Sequence, residues 1–482
     1  MRLGVAVVCV AAVAALAGCG GDEGSSDDPA ALVPPNAALY AQALVRPEGE
    51  LAATARETLR RATGEPDAGA AIVDFIDEEL REEGPGLSFE ADVQPWLGER
   101  VALFFEDLDE LEGAFVVEAS EPQQAERFAR AVREDGTGAE VVEDFLVYGD
   151  EAAVRHAIDA SEADSLADES SFEDAIDASP EDSLGELYLS LDAVASAAPS
   201  ELEADSTAFV GALLRDVEGE AIVASLVPRG DAVELEVSSD AFAGLDGSAA
   251  ADLVGSLPGE AWGTAAVPNA AELLRGLLRG VEATGRVSIA ELERALGLLG
   301  ISVERDLIEP IEAVGAFVAS GLEPIGGAAV ISTRGQGATR EAVETIGVLL
   351  ERAGDASEAR VSGLPGFSLR IPEIGPQPIY VVPREDTVVV GYGLVMTERA
   401  LAGGDPLSRV PELSRAAEML GGDPIAYLAV PEALRVGEAF GVLRDSEIAD
   451  ALPYLEHARY LAVAVDGDDE RGTFKVLVGL QR

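Results

Sequence analysis

A chain of 482 residues is too long for one ordinary core, so two domains are the default expectation. Apolar residues at 48% and charged residues at 26% match folded globular protein, and aromatics at 5% leave Ala, Val, Leu and Ile to fill the core. Asp and Glu number 90 against 33 Lys and Arg, only one of them a lysine (Lys475), and the resulting charge of −57 repels phosphate backbones and argues against nucleic-acid binding.

The first residues read as an address. Arg2 precedes an unbroken apolar run over residues 3–16, too short to span a bilayer comfortably and of the right length for a signal-peptide core. The run ends in Leu16-Ala17-Gly18-Cys19, which resembles the lipobox cut by bacterial lipoprotein signal peptidase. The resemblance implies cleavage between Gly18 and Cys19 and a diacylglycerol thioether on the Cys19 sulfur, so residues 1–18 are expected to be a signal peptide. Residues 19–32, rich in Gly, Ser and Asp, are expected to be a polar tether that cannot pack a core. The other cysteine, Cys9, lies inside the leader, so no disulfide is expected in the mature chain.

From residue 33 the pattern predicts a strand with Tyr40, then a helix with Leu51, Ala55, Leu59 and Ala62 on one face and Gly64 as its stop. Strands follow over residues 101–105 and 114–117, and Ser120-Glu121-Pro122-Gln123 is expected to cap a helix burying Ala125, Phe128, Ala129 and Val132. A short strand ends in Tyr148-Gly149. Ala157-Ile158-Asp159-Ala160-Ser161 returns as Ala175-Ile176-Asp177-Ala178-Ser179, read as two short helices with a solvated acidic face because no D-X-D-X-D-G calcium loop occurs. A strand with Tyr188 and a hairpin turning at Pro228-Arg229-Gly230-Asp231 close this half.

The same order then repeats. A strand at Trp262, expected to match Tyr40, leads to a helix with Leu273, Leu274, Leu277 and Leu278 that stops at Gly280. Strands over 315–319 and 328–332, a helix with Val343, Ile346 and Leu350, a strand ending in Tyr392-Gly393, a strand with Tyr427 and a hairpin turning at Asp466-Gly467-Asp468 complete the copy. The expected fold is α+β: two tandem related domains, residues 33–245 and 256–482. Each is read as an antiparallel or mixed sheet with helices packed on one face, closing with a β-hairpin.

At Asp92-Val93-Gln94-Pro95-Trp96-Leu97-Gly98 the chain resembles a family of secreted or membrane-anchored bacterial proteins known only as a domain of unknown function. The Pro-rich entry to the Tyr40 strand and the Tyr148-Gly149 strand are similar too. The second half departs from it, reading Pro310-Ile311-Glu312. The resemblance implies a cell-envelope location and brings no activity and no site residues.

No residue pattern assembles a catalytic centre. His156 and His457 are the only histidines and have no G-X-S-X-G or H-E-X-X-H context, so a triad or His-based metal site is not expected. Arg334-Gly335-Gln336-Gly337 superficially resembles a dinucleotide loop, but Arg340 stands where its third glycine belongs. Trp96 and Trp262 are read as packing residues. No cofactor or metal is therefore expected. The functional expectation is a membrane-anchored, extracytoplasmic, non-enzymatic binding or scaffold lipoprotein whose partner is an envelope protein or a small ligand. The alternatives are a solute-binding lipoprotein with its ligand cleft between the domains, and an acid-based hydrolase, which requires two carboxylates buried together with raised pKa values.

Overall fold

The computed structural model describes residues 28–66, 88–108, 112–133, 137–191, 221–283, 289–298, 300–320, 326–334, 337–372, 374–384, 386–402, 404–444 and 446–481, with a few positions between 69 and 77. Gly18, Cys19 and the signal-peptide expectation lie outside these residues, and the expected tether is shorter than residues 19–32, because Pro29–Leu32 form a 3-10 turn whose Ala30 and Leu32 are buried in the core beside Tyr40.

In the first half the strands are β1 (Leu39–Leu44), β2 (Leu97–Phe105), β3 (Gly113–Ala119), β4 (Gly138–Val142), β5 (Phe145–Gly149), β6 (Gly185–Ser190), β7 (Ala221–Pro228) and β8 (Ala232–Ser239). The helices are α1 (Gly49–Thr63), α2 (Pro122–Arg133), α3 (Glu151–Ser161) and α4 (Ser170–Ile176). Helix α1 stops where expected, at Gly64 with φ 72°, and a Cβ there would meet the His457 ring at 2.5 Å. Helix α2 buries the expected Ala125, Phe128, Ala129 and Val132. Ser120 does something else: its hydroxyl donates to the carbonyls of Trp96 and Leu97, tying the helix entry to β2.

The second half opens with helix α5 (Ser248–Ser256) and β9 (Ala261–Val267). Helices α6 (Ala270–Ala283) and α7 (Ile289–Gly297) lead to β10 (Ile311–Ala319), β11 (Gly326–Thr333) and α8 (Ala338–Ala353). Next come β12 (Ala356–Val361), β13 (Leu364–Leu369), β14 (Ile379–Pro383), β15 (Thr387–Tyr392), α9 (Leu394–Ala402) and α10 (Pro411–Leu420). The half ends with β16 (Ala426–Ala429), α11 (Val430–Phe440), α12 (Ser446–Leu455), β17 (Ala458–Gly467) and β18 (Gly472–Leu480). Two expectations are corrected here. Helix α6 runs through Gly280, because an isolated glycine costs a helix only about 1 kcal/mol. The β12–β13 hairpin has no counterpart among the described strands of the first half.

Among the described residues eighteen strands form one antiparallel sheet, ordered β4-β5-β3-β2-β1-β6-β7-β8-β18-β17-β16-β9-β10-β11-β15-β14-β13-β12. The expected separation into two sheets does not occur: β8 and β18, the last strand of each half, pair edge to edge from Ser239–Gly472 to Ala232–Gly479. Each hairpin would otherwise leave an open strand edge, and pairing the two edges satisfies both. Read outward from that pair, the strand order is the same on both sides until β14.

The expectation of helices on one face is also corrected. Phe145 and Val147 of β5 pack against Ala153, Val154 and Ala157 of α3, whereas Leu146 between them packs against Phe128 of α2. In β15, Val389 joins the cluster holding Met396 of α9, while Val388 and Val390 face Val343 and Leu350 of α8. Both strands are continuous apolar runs, the pattern of a sheet covered on both sides. Burial alternates along β7, β10 and β17.

Register also shifts two matched positions. Tyr40 lies opposite Phe104 and Tyr188, and the residue opposite Phe317 and Tyr427 is Thr264. Tyr40 therefore corresponds to Thr264 and not to Trp262. Gly149 and Gly391 are likewise equivalent, each facing an alanine, Ala114 or Ala328, of the neighbouring strand.

Candidate functional site

A group of charged side chains lies at the join of the sheet. Alternation puts Glu234 and Glu236 on the same side of β8. Glu234 is 1% exposed, and its carboxylate accepts from Arg229 Nε at 2.7 Å; Arg229 also reaches Asp182. Burial works against the Arg229 charge, but the two carboxylates hold its pKa above the usual value. Glu236 lies opposite Lys475, whose amine is 3.5 Å from the carboxylate. Burial raises the Glu236 pKa and nearby Glu234 adds to the rise, while Lys475 opposes it.

Glu236 and Lys475 belong to a polar row crossing five strands, in which Gln42 faces Glu186, Glu186 faces Ser225, Ser225 faces Glu236, and Glu236 faces Lys475. Ser183 Oγ donates to Glu186 at 2.9 Å, and Ser225 Oγ to Ser179 Oγ at 3.0 Å. Outside the row, the two hairpin turns lock the halves together. Asp231 accepts from Arg415 of α10, and Arg471 donates to the Asp174 carbonyl of α4. Phe242 packs edge-on against Phe474, with ring centroids 5.2 Å apart. The join is a packed strand pair, and its chemistry is that of a clamp. Glu234 and Glu236 come nearest to the paired carboxylates of the hydrolase alternative, yet each is engaged by a cation.

A crevice of about 530 Å³ opens elsewhere, between α5 and α10 in the second half. Leu413, Ala417, Ala251 and Pro424 give it an apolar floor, and Asp252, Asp423, Ser256 and Ser414 line its polar side. A smaller space of about 310 Å³ adjoins it, sharing Asp252 and Asp423 and adding Asp246 and Asp466. The first volume is within the range of small-molecule sites. The Asp246 carboxylate is held below the usual range by hydrogen bonds from Ser248.

The other sequence candidates are structural. Trp96 is 2% exposed, donates through Nε1 to the Asp92 carbonyl and packs on Phe128 at 5.6 Å. Trp262 is half-buried, and its Nε1 has no partner. His156 sits on the exposed side of α3, 2.8 Å from Glu106, and His457 covers Gly64. Gly335 and Gln336 lie outside the described residues; Gly337, with φ 110°, and α8 behind it form a helix-entry turn. Among the described residues no group of three or more His, Cys, Asp or Glu is placed to hold a metal ion, and no helix is long and apolar enough to cross a membrane.

Sequence reading missed one matched feature. Before β2 and β10 the chain makes a π-helical turn, Phe89–Val93 and Val303–Ile308. In each a serine caps the turn, Ser88 or Ser302, and its N–H donates to an aspartate four residues on, Asp92 at 2.9 Å or Asp306 at 2.8 Å. The signal was present as Ser-X-Glu-X-Asp in Ser88 to Asp92 and again in Ser302 to Asp306.

No family model and no curated protein matches the chain. Solved structures of TP0453 in crystal forms I and IV are similar at 14% identity, each covering 45% of this chain and 79% or 81% of that one. Their TM-scores of 0.23 and 0.25 are too low to carry an argument about fold or function.

Proposed function

We propose that the chain is a lipid-anchored extracytoplasmic lipoprotein built from two tandem copies of one α+β unit, acting as a non-enzymatic binding or scaffold protein of the cell envelope. Leu16-Ala17-Gly18-Cys19 behind a short apolar run carries the anchoring part of the reading. The mirrored strand order and the matched Ser-X-Glu-X-Asp turns support the tandem copies. The resemblance at residues 92–98 to envelope proteins of unknown function fits the same location. Labelling cells with a radioactive fatty acid tests the anchor. The wild type is expected to carry label and sediment with membranes, and Cys19→Ser to carry none; an unlabelled wild type rejects it.

Solute binding is a second reading, favoured by the crevice between α5 and α10 rather than by a cleft at the join. It is tested by thermal shift against metals, sugars, peptidoglycan fragments, peptides and lipids, since a ligand of the folded state raises the melting point by mass action. A shift abolished by Leu413→Trp, which fills the crevice, places the ligand there. No shift across the panel leaves the scaffold reading.

A further inference from the structure

We infer that the Glu236–Lys475 pair is a pairing-specificity device, which selects the joining of the two unlike halves of one chain over like-with-like joining of halves from two chains. This rests on the reading of the halves as copies of one unit, and the register fixes where their local two-fold axis runs. Tyr188 lies opposite Val223, and Val223 opposite Ser238; the equivalent Tyr427 lies opposite Ala462, and Ala462 opposite Leu477. Ser238 therefore corresponds to Leu477. Across the join Ser238 faces Thr473 and Leu477 faces Glu234. The offset that takes Ser238 to Leu477 also takes Glu234 to Thr473, so the two cross-join pairs map onto each other. The same offset takes Glu236 to Lys475, its own partner in the register.

A residue on such an axis faces its own counterpart. If β8 of one chain paired with β8 of another in this register, Glu236 would face Glu236; if β18 paired with β18, Lys475 would face Lys475. Like charges directly opposite in antiparallel strands are destabilising. The position is partly covered, with side-chain exposures of 14% for Glu236 and 27% for Lys475, so solvent screens it less than a surface pair. Only the join of unlike halves brings opposite charges together.

The neighbouring pairs make no such distinction. Leu235 and Val237 face Val476 and Phe474, and a like-with-like register would set Leu235 beside Val237 or Phe474 beside Val476, again apolar beside apolar. The chain's one lysine stands at the one position on this strand pair where charge decides between partners. Such a pair need add little net stability, because registry and partner choice are the best-attested uses of covered ion pairs.

The test unfolds the full chain in urea, refolds it at high concentration and measures mass by light scattering. Wild type and the reversed variant E236K/K475E are expected to return as monomer, and the neutral variant E236Q/K475M to return with a several-fold larger dimer fraction. In E236C/K475M, mild oxidation is expected to link position 236 of one chain to position 236 of another, read by peptide mass. That link separates like-with-like joining from an exchange of unlike halves. K475E is expected to lower the urea midpoint and E236K/K475E to restore it, which decides the matter even where a single variant folds poorly. A neutral variant as monomeric as wild type, a missing 236–236 link, or a reversal that restores nothing would each overturn the proposal. Such a failure would leave the tandem-copy reading intact, because that reading stands on strand order; two non-superimposable halves in an experimental structure would remove both.

Discussion

The aromatic centre of the first half and its counterpart in the second show how one scaffold carries two different interiors. In the first half Tyr40 is fully buried, its hydroxyl donates to Gln42 at 3.0 Å, and Phe172 packs edge-on to both Tyr40 and Tyr188 at 5.4 and 5.2 Å. Burial, with Asp28 and Glu186 nearby, keeps the Tyr40 pKa well above its usual value. At the matching place in the second half Thr264 replaces Tyr40, and its buried Oγ1 has no partner. Tyr427 stacks on Tyr460 at 6.3 Å, and burial pushes its pKa up to about 12. The second half also holds the crevices and exposes Phe440, Val442 and Tyr454. Among the described residues the Tyr40 hydroxyl is bonded, whereas the Thr264 hydroxyl and Trp262 Nε1 of the second half are not.

The comparison breaks most visibly at the sheet centre. Phe104→Ala and Phe317→Ala occupy equivalent buried positions, and each is expected to cost about 3–5 kcal/mol in urea unfolding. A cost near zero at either would remove that position from its core. Tyr40→Phe should lose about 1 kcal/mol with the Gln42 bond. Thr264→Val should have the opposite sign, gaining up to about 1 kcal/mol by removing a buried hydroxyl that bonds to nothing. A loss at Thr264→Val would mean that the hydroxyl has a partner in solution and that the two interiors are alike in this respect.

The smallest effect is electrostatic. Hydrogen bonds from Arg60 and Arg61 hold Glu57 at about 2, below 4.5, and those from Arg305 and the Ser302 N–H hold Asp306 at about 2, below 3.8. Groups with depressed folded pKa values stabilise above their unfolded pKa and lose that contribution as pH falls through the folded value. Acid titration from about pH 5 to about pH 2 should therefore weaken the fold, and Asp306→Asn should flatten part of that dependence. Glu57 is 36% exposed and Asp306 15%, so salt should shrink the Glu57 contribution more than that of Asp306. An unchanged acid profile in Asp306→Asn would contradict the assignment.

Much of the element order was legible because it is local. Gly64 stops a helix, Ala125, Phe128, Ala129 and Val132 share a helical face, and the hairpin strands alternate. What escaped sequence reading depends on partners distant in the chain. The pairing of β8 with β18 joins residues about half the chain apart, and nothing near Glu236 names Lys475 as its partner. Thr264 was passed over for Trp262 because matching by residue type favours an aromatic, whereas register follows backbone hydrogen bonds and shifts between Val318 and Ala319. The helices on both faces were announced by the apolar runs of β5 and β15, and the alternating hairpins obscured them. The crevice follows from how α5 and α10 stand on the sheet, which no single segment encodes.

The continuity of the sheet across the join is the central claim, and the two tryptophans test it directly because each half holds one. Trp262→Phe leaves Trp96 to report the first half, and Trp96→Phe leaves Trp262 to report the second. Urea unfolding followed by fluorescence and by far-ultraviolet circular dichroism, in both variants, is expected to give coincident transitions within each variant, as one cooperative unit requires. A tryptophan transition separated from the loss of secondary structure in either variant would show halves that melt independently and contradict the account.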